Sequence, residues 1–206
     1  MDEARQVRDF WFGKLPLTAQ ALSQRLELWF PDDERADVAR NWDGAIRARF
    51  GALVERAAVG ELASWADSPR RCMSLILLLD QFPRNIYRGT ARAFASDDQA
   101  LAVTLSGMES AADAALDVVE RLFFYMPLQH SEVREIQDES VAAYRRLVAE
   151  APQELRSAFE DVLKYAEQHR SVIERFGRFP HRNRVLQRVS TPEEVAWLRG
   201  GGDEAG

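Results

Sequence analysis

The sequence predicts an all-α protein folded as a single domain of antiparallel helix pairs, and three observations carry that expectation. Apolar residues recur at helical spacing along almost the whole chain. No sustained period-two alternation marks a strand. Prolines, glycines and capping residues fall between the periodic segments, with no linker longer than a few residues. Residues 1–199 are therefore one helical domain, and the glycine-rich tail 200–206 is expected to be disordered. Periodicity leaves a bundle and a curved superhelix equally open, and no strict repeat of about 34 residues is present.

The elements follow in order. A first helix runs to Phe12 with Val7, Phe10 and Trp11 on its apolar side, and Gly13 ends it. A second starts after Thr18 and carries Leu22, Leu26 and Trp29 until Pro31 stops it. Val38, Trp42, Ile46, Phe50, Leu53 and Ala57 mark a long amphipathic helix ending near Gly60. Arg71 to Gln81 is apolar nearly all round, so it belongs in the core, and Pro83 is expected to break it.

Ser96 and Gln99 form a capping-box pattern for a helix that Gly107 would close. Leu116, Val119, Leu122 and Phe123 define the next, ahead of Pro127. Ser131 reads as the N-cap of a helix carrying Val133, Ile136, Val141, Tyr144 and Leu147. Pro152 suits the first turn of another, with Leu155, Phe159, Val162, Ala166, His169, Ile173 and Phe176 on its inner face. Thr191-Pro-Glu-Glu194 combines an N-cap, a proline at N1 and a capping glutamate, so a last short helix follows.

Composition narrows function without naming it. The formal net charge is −6, so a broad electrostatic footprint for nucleic acid is not expected. The single cysteine, Cys72, allows no intrachain disulfide and fits a reducing compartment. The acidic start carries no basic-then-apolar leader, and Met73–Leu79 is too short to span a bilayer. Cytoplasmic residence and no membrane partner are the expectations. The oligomeric state is not readable.

Two segments stand apart: Asp80-Gln-Phe-Pro-Arg84-Asn85-Ile-Tyr-Arg88 and Arg178-Phe-Pro-His181-Arg182-Asn183. Each places guanidinium and amide donors just after Phe-Pro. Arginine offers a planar fork for carboxylate or phosphate, and asparagine adds directional polar groups. Arg84, Asn85, Arg88, Arg178, Arg182 and Asn183 are thus candidate ligands for a small anionic molecule. The competing reading ties the same arginines to neighbouring carboxylates and helix-end carbonyls.

All three histidines, His130, His169 and His181, lie in or near these segments, and with Glu132 and Asp80 they are the candidates for proton transfer. His169 on an apolar face also fits a core histidine bonded to a backbone carbonyl. The histidine spacing gives no metal signature, so no metal is assigned. No motif implies a cofactor: there is no glycine-rich phosphate loop. Cys72 reads as a core residue, and Ser131 as a cap.

Longer strings carry a family resemblance: Asp9-Phe-Trp-Phe-Gly13; Leu77 through Asp80-Gln-Phe-Pro-Arg-Asn-Ile-Tyr-Arg-Gly to Phe94; Arg121-Leu-Phe-Phe-Tyr-Met-Pro-Leu-Gln-His-Ser-Glu132; His169-Arg on to Phe-Gly-Arg-Phe-Pro-His-Arg-Asn183; and Ser190-Thr-Pro-Glu-Glu194. They resemble the bacterial domain-of-unknown-function family numbered 924 over nearly the whole chain. The resemblance implies a tetratricopeptide-like helical fold and no established activity, substrate or catalytic residue. Two positions depart from the family pattern. Gln129 stands where a glutamate is usual, which weakens any mechanism needing two carboxylates around His130. Gln187 stands where a glycine usually follows the leucine, which alters a turn. Two functions remain in view: a small-molecule site at the Arg/His segments, with or without catalysis, and a non-enzymatic scaffold binding a peptide or protein partner.

Overall fold

A computed structural model describes residues 2–31 and 35–202, so residues 203–206 of the expected disordered tail lie outside the described residues. Eleven α-helices are described: α1 (Glu3–Phe12), α2 (Ala19–Trp29), α3 (Ala36–Ala58), α4 (Pro69–Ile76), α5 (Phe82–Ile86), α6 (Asp97–Glu109), α7 (Val118–Phe124), α8 (Met126–Gln129), α9 (Arg134–Glu150), α10 (Arg156–Phe176) and α11 (Pro192–Arg199). No strand occurs among the described residues, and no helix is long and apolar enough to cross a membrane.

Local chemistry explains most helix ends. Thr18 accepts from the Ala21 N–H ahead of α2. Thr191 and Glu194 close a reciprocal capping box with Pro192 at N1, as the sequence pattern predicts. Gly177 ends α10 in the left-handed region at φ 67°.

Five expected boundaries differ. Pro83 does not break the core helix: Leu77–Gln81 widens into a π turn, with the Phe82 N–H bonded to Leu77 O, and the chain runs on helically through Pro83. A proline near the start of α5 lacks only a donor that the widened turn does not need. Ser96 makes no cap, because its backbone (φ −108°, ψ 10°) is not extended and Gln99 bonds the Ala58 carbonyl instead. Gly107 is interior to α6, where an added Cβ would lie 2.6 Å from Cζ of Phe124; closeness of packing, not a helix stop, explains the glycine. Ser131 accepts from the Val133 N–H in a turn, and α9 begins at Arg134. Pro152 opens a tight turn closed by Leu155 N–H to Pro152 O at 2.9 Å, so α10 begins only at Arg156.

The core is aromatic at one end. Trp11 packs edge-on against Phe123 at 5.3 Å and beside Trp29 at 5.9 Å, while Phe10 stacks on Trp42 at 4.5 Å. Each such side chain, once buried, contributes roughly 1.5–3 kcal/mol. The segment from Cys72 to Pro83 is buried at every position and forms the central strut. At the other end, α9 and α10 run antiparallel: ion pairs join Arg145 to Glu167, Arg170 to Asp138 and Arg134 to Glu174, in opposed order along the two helices. A smaller apolar cluster of Val172, Ile173 and Phe179, with Phe176 and Trp197 against it, docks the C-terminal segment onto α10.

Candidate functional site

The π turn delivers Asp80 into the interior, where none of its surface is exposed. Its carboxylate receives Gln81 Nε2 at 2.6 Å and Arg84 Nη1 at 3.1 Å, and Oδ1 lies 2.7 Å from Nδ1 of His130. Burial alone would raise the carboxyl pKa. The Arg84 guanidinium, His130 and the Gln81 amide overcome that and hold it below the usual carboxylate range. Asp80 is therefore charged, so His130 donates through Nδ1. The other ring nitrogen, Nε2, has no hydrogen-bond partner among the described residues.

Arg84, one helical turn on, grips Asp97 at the head of α6 with two bonds of 2.9 and 3.0 Å. Arg182, from the 3₁₀ turn Pro180–Arg182, reaches the same Asp97 through Nη1 at 3.2 Å. Its guanidinium lies between the Phe94 and Phe179 rings, 4.7 and 4.5 Å from their centroids. Arg182 is 6% exposed, and its buried Nε has no partner. Burial, then repulsion from Arg84, lowers its pKa to about 10 against the pull of Asp97. Two guanidiniums thus share one carboxylate, and one of them is incompletely satisfied.

The histidines gather around this pair. His169 Nδ1 donates to the Tyr165 carbonyl at 2.8 Å, as a core histidine does. The Gln129 side-chain amide lies 3.3 Å from that nitrogen; a protonated Nδ1 requires it to present oxygen there. His169 and His181 flank the Phe179 ring at 5.4 and 5.6 Å. Burial lowers the pKa of His169 to about 3 and that of His181 to about 4, with nearby Arg182 and His130 adding to both shifts. His130 is lowered as well, by burial and then by Arg84, against Asp80. All three rings are neutral at pH 7. His181 also keeps a buried, unpartnered Nδ1 and lines a cavity of about 300 Å³ with Pro180, Arg184, Ser190 and Leu198.

The remaining candidates are placed elsewhere. Asn85 and Arg88 both bind Asp43 of α3, at 2.8 Å and at 2.9 and 3.0 Å. Arg178 holds Glu194 with bonds of 2.7 and 2.9 Å, and Asn183 bonds Ser190 and Glu194. Glu132 receives the Phe179 N–H at 2.8 Å and a two-pronged bond from Arg188 at 2.7 and 3.0 Å. These contacts tie helix ends and the C-terminal segment together. The structure therefore brings together Asp80, Arg84, His130, His169, His181 and Arg182, and holds Arg88, Arg178 and Glu132 in separate ion pairs and Asn85 and Asn183 in hydrogen bonds to the acids of two of them.

Asp97 is the member of the cluster that sequence reasoning missed. An aspartate in the first turn of a helix reads as a complement to the helix dipole, and nothing local distinguishes one that bridges two distant arginines. Arg188, the partner of Glu132, was missed for the same reason. Among the described residues, no group of three or more His, Cys, Asp or Glu side chains is placed to hold a metal ion.

Comparison with known proteins adds a family. The family described as a bacterial protein of unknown function, DUF924, matches residues 7–202. A solved structure of a protein of unknown function, ATU0120 from Agrobacterium tumefaciens, is 33% identical, with a TM-score of 0.78. The alignment covers 96% of this chain and 97% of that one. No curated protein matches.

Proposed function

We propose a function for this chain, which belongs to the bacterial family of unknown function DUF924: it binds a small anionic ligand at Arg84 and Arg182, and His130 exchanges a proton with that ligand. One observation carries the reading. A fully buried, charged Asp80 fixes the His130 ring through Nδ1 and also pairs with Arg84, which leaves Nε2 of His130 without a hydrogen bond among the described residues. The bond stabilises the buried carboxylate and also fixes the neutral histidine in the tautomer that a base requires.

The chemistry follows from the charges. Arg182 lacks a partner at Nε, so an anionic oxygen there would satisfy a donor that the fold leaves orphaned. His130, neutral at pH 7, can accept a proton at Nε2, and Asp80 stabilises the imidazolium that results. The π turn supports the reading too, since such turns occur often at functional sites. Access is narrow: the side chains of Arg84, His130 and Arg182 are 19%, 14% and 7% exposed. Only the charged end of a ligand reaches them.

Calorimetric titration with orthophosphate and with small mono- and dicarboxylates tests this. The intact protein should bind at least one class, and Arg182→Met, which keeps an apolar stem between the two rings, should lose it. Arg178→Ala should bind as before, because Arg178 serves Glu194. Titrations that show no binding of any anion would remove the reading and favour a scaffold for a peptide or protein partner.

A further inference from the structure

An open cavity lies between α1 and the start of α4, and its charge is opposite to that of the chain. It measures about 770 Å³, and five cations line it: Arg5, Arg8, Lys14, Arg70 and Arg71. Asp2 and Asp9 are the only acids lining it, in a protein of net charge −6. Arg8 is neutralised by the buried Glu120, and Arg5 by Asp9 at 3.2 Å.

Lys14, Arg70 and Arg71 are different: none has a carboxylate partner among the described residues. Arg71 rests over the Trp65 ring at 5.6 Å and has an exposed side chain. This is uncommon in a chain whose arginines are mostly paired with acids, such as Arg88 with Asp43 and Arg92 with Glu55. Mutual repulsion among unpaired cations in one groove disfavours the arrangement unless something of opposite charge occupies it. The head of α4 adds to the attraction. Ser68 supplies no side-chain cap, so the leading N–H groups at Arg70 and Arg71 have no side-chain acceptor.

We propose that this groove is a second anion site, independent of the Arg84–Arg182 cluster, and that it takes a small molecule bearing two or three linked phosphates. The size is that of a small-molecule site rather than of an extended macromolecular track. No aromatic side chain lines it, so the recognised part is the phosphate chain itself and not a stacked ring. Three unpaired cations and two adjacent amides match the oxygens of a linear oligophosphate, and exceed what one carboxylate needs.

The probe is inorganic tripolyphosphate, titrated calorimetrically at low and at moderate salt. The intact protein should bind it with an affinity that falls as salt rises. Arg70→Ala with Arg71→Ala should weaken binding by about tenfold or more, since charge-assisted bonds are lost at two positions. Both residues are exposed, so the variant should keep its thermal midpoint. Arg182→Met should bind tripolyphosphate as the intact protein does, which separates this site from the one proposed above. Absence of binding would overturn the assignment, and so would binding unchanged in the Arg70/Arg71 variant. A groove that binds oligoglutamate but not tripolyphosphate would overturn it as well.

Discussion

Oδ1 of Asp80 lies 2.7 Å from Nδ1 of His130, fifty residues further along the chain, and the carboxylate has no exposed surface. The pair links the π turn to the end of α8, so a side-chain bond fixes both the base and two elements of the core. Breaking it has consequences for stability and for binding that differ in kind.

Asp80→Asn removes the charge while keeping the shape. Arg84 retains Asp97, but the buried bond to His130 weakens and Arg84 loses one counter-ion. Denaturant unfolding should show a loss of about 2–4 kcal/mol with an unchanged slope. Stability within about 0.5 kcal/mol of the parent would show that the buried charge contributes nothing.

The three histidines set an acid sensitivity. Each has a folded pKa below the unfolded value of about 6.5, with His169 near 3 and His181 near 4. The unfolded chain therefore takes up protons first, and the stabilising effect is present above that value and lost as pH falls. His169 alone should remove about 1.4 kcal/mol per pH unit between roughly pH 6 and 4. Asp80 and Glu132, held below the usual range, act in the same direction below about pH 4.5. A stability profile that is flat from pH 7 to pH 5 would contradict the buried neutral rings.

Gln187 occupies the left-handed region at φ 56°, where the family resemblance implies a glycine. The turn aims Arg188 back at Glu132 and at the Phe179 carbonyl. Left-handed backbone costs a non-glycine residue about 1–2 kcal/mol, and glycine adds unfolded-state freedom worth about 0.4–1 kcal/mol. Gln187→Gly should thus raise stability modestly, by up to about 1 kcal/mol, as a higher melting temperature. A lower one would mean that the glutamine side chain makes a contribution its geometry does not reveal.

Gly107 should resist the substitution that helix propensity favours. Alanine gains about 1 kcal/mol in a helix interior, yet its Cβ would sit 2.6 Å from Phe124 Cζ and 3.4 Å from Cys72 Sγ. Phe124 is fully buried, so overpacking of about 1–3 kcal/mol outweighs the gain. Chemical denaturation should find Gly107→Ala less stable, and a stabilised variant would show that the ring can move.

Legibility in the sequence tracked the range of the interaction. The Thr191 cap, the helical faces and the burial of Leu75 to Leu79 are local or periodic, and the sequence carries them. Pro83 and Gly107 misled because their usual meanings, break and stop, were displaced by a π turn and by contact with Phe124, which are tertiary facts. The site was half legible for the same reason. Asp80, Arg84, His130 and Arg182 were flagged by residue type, but type does not distinguish Arg182, short of a partner, from Arg178, saturated by Glu194. Asp97 carried no local mark at all.

The most direct test of the anion site watches the histidine rings themselves by nitrogen-15 NMR while orthophosphate is added at pH 7. The account predicts saturable shifts of the His130 and His181 ring nitrogens, with Nε2 of His130 moving toward the protonated form, and no such shifts in Arg182→Met. Rings that stay fixed at saturating phosphate and carboxylate, or that move equally in Arg182→Met, would contradict it.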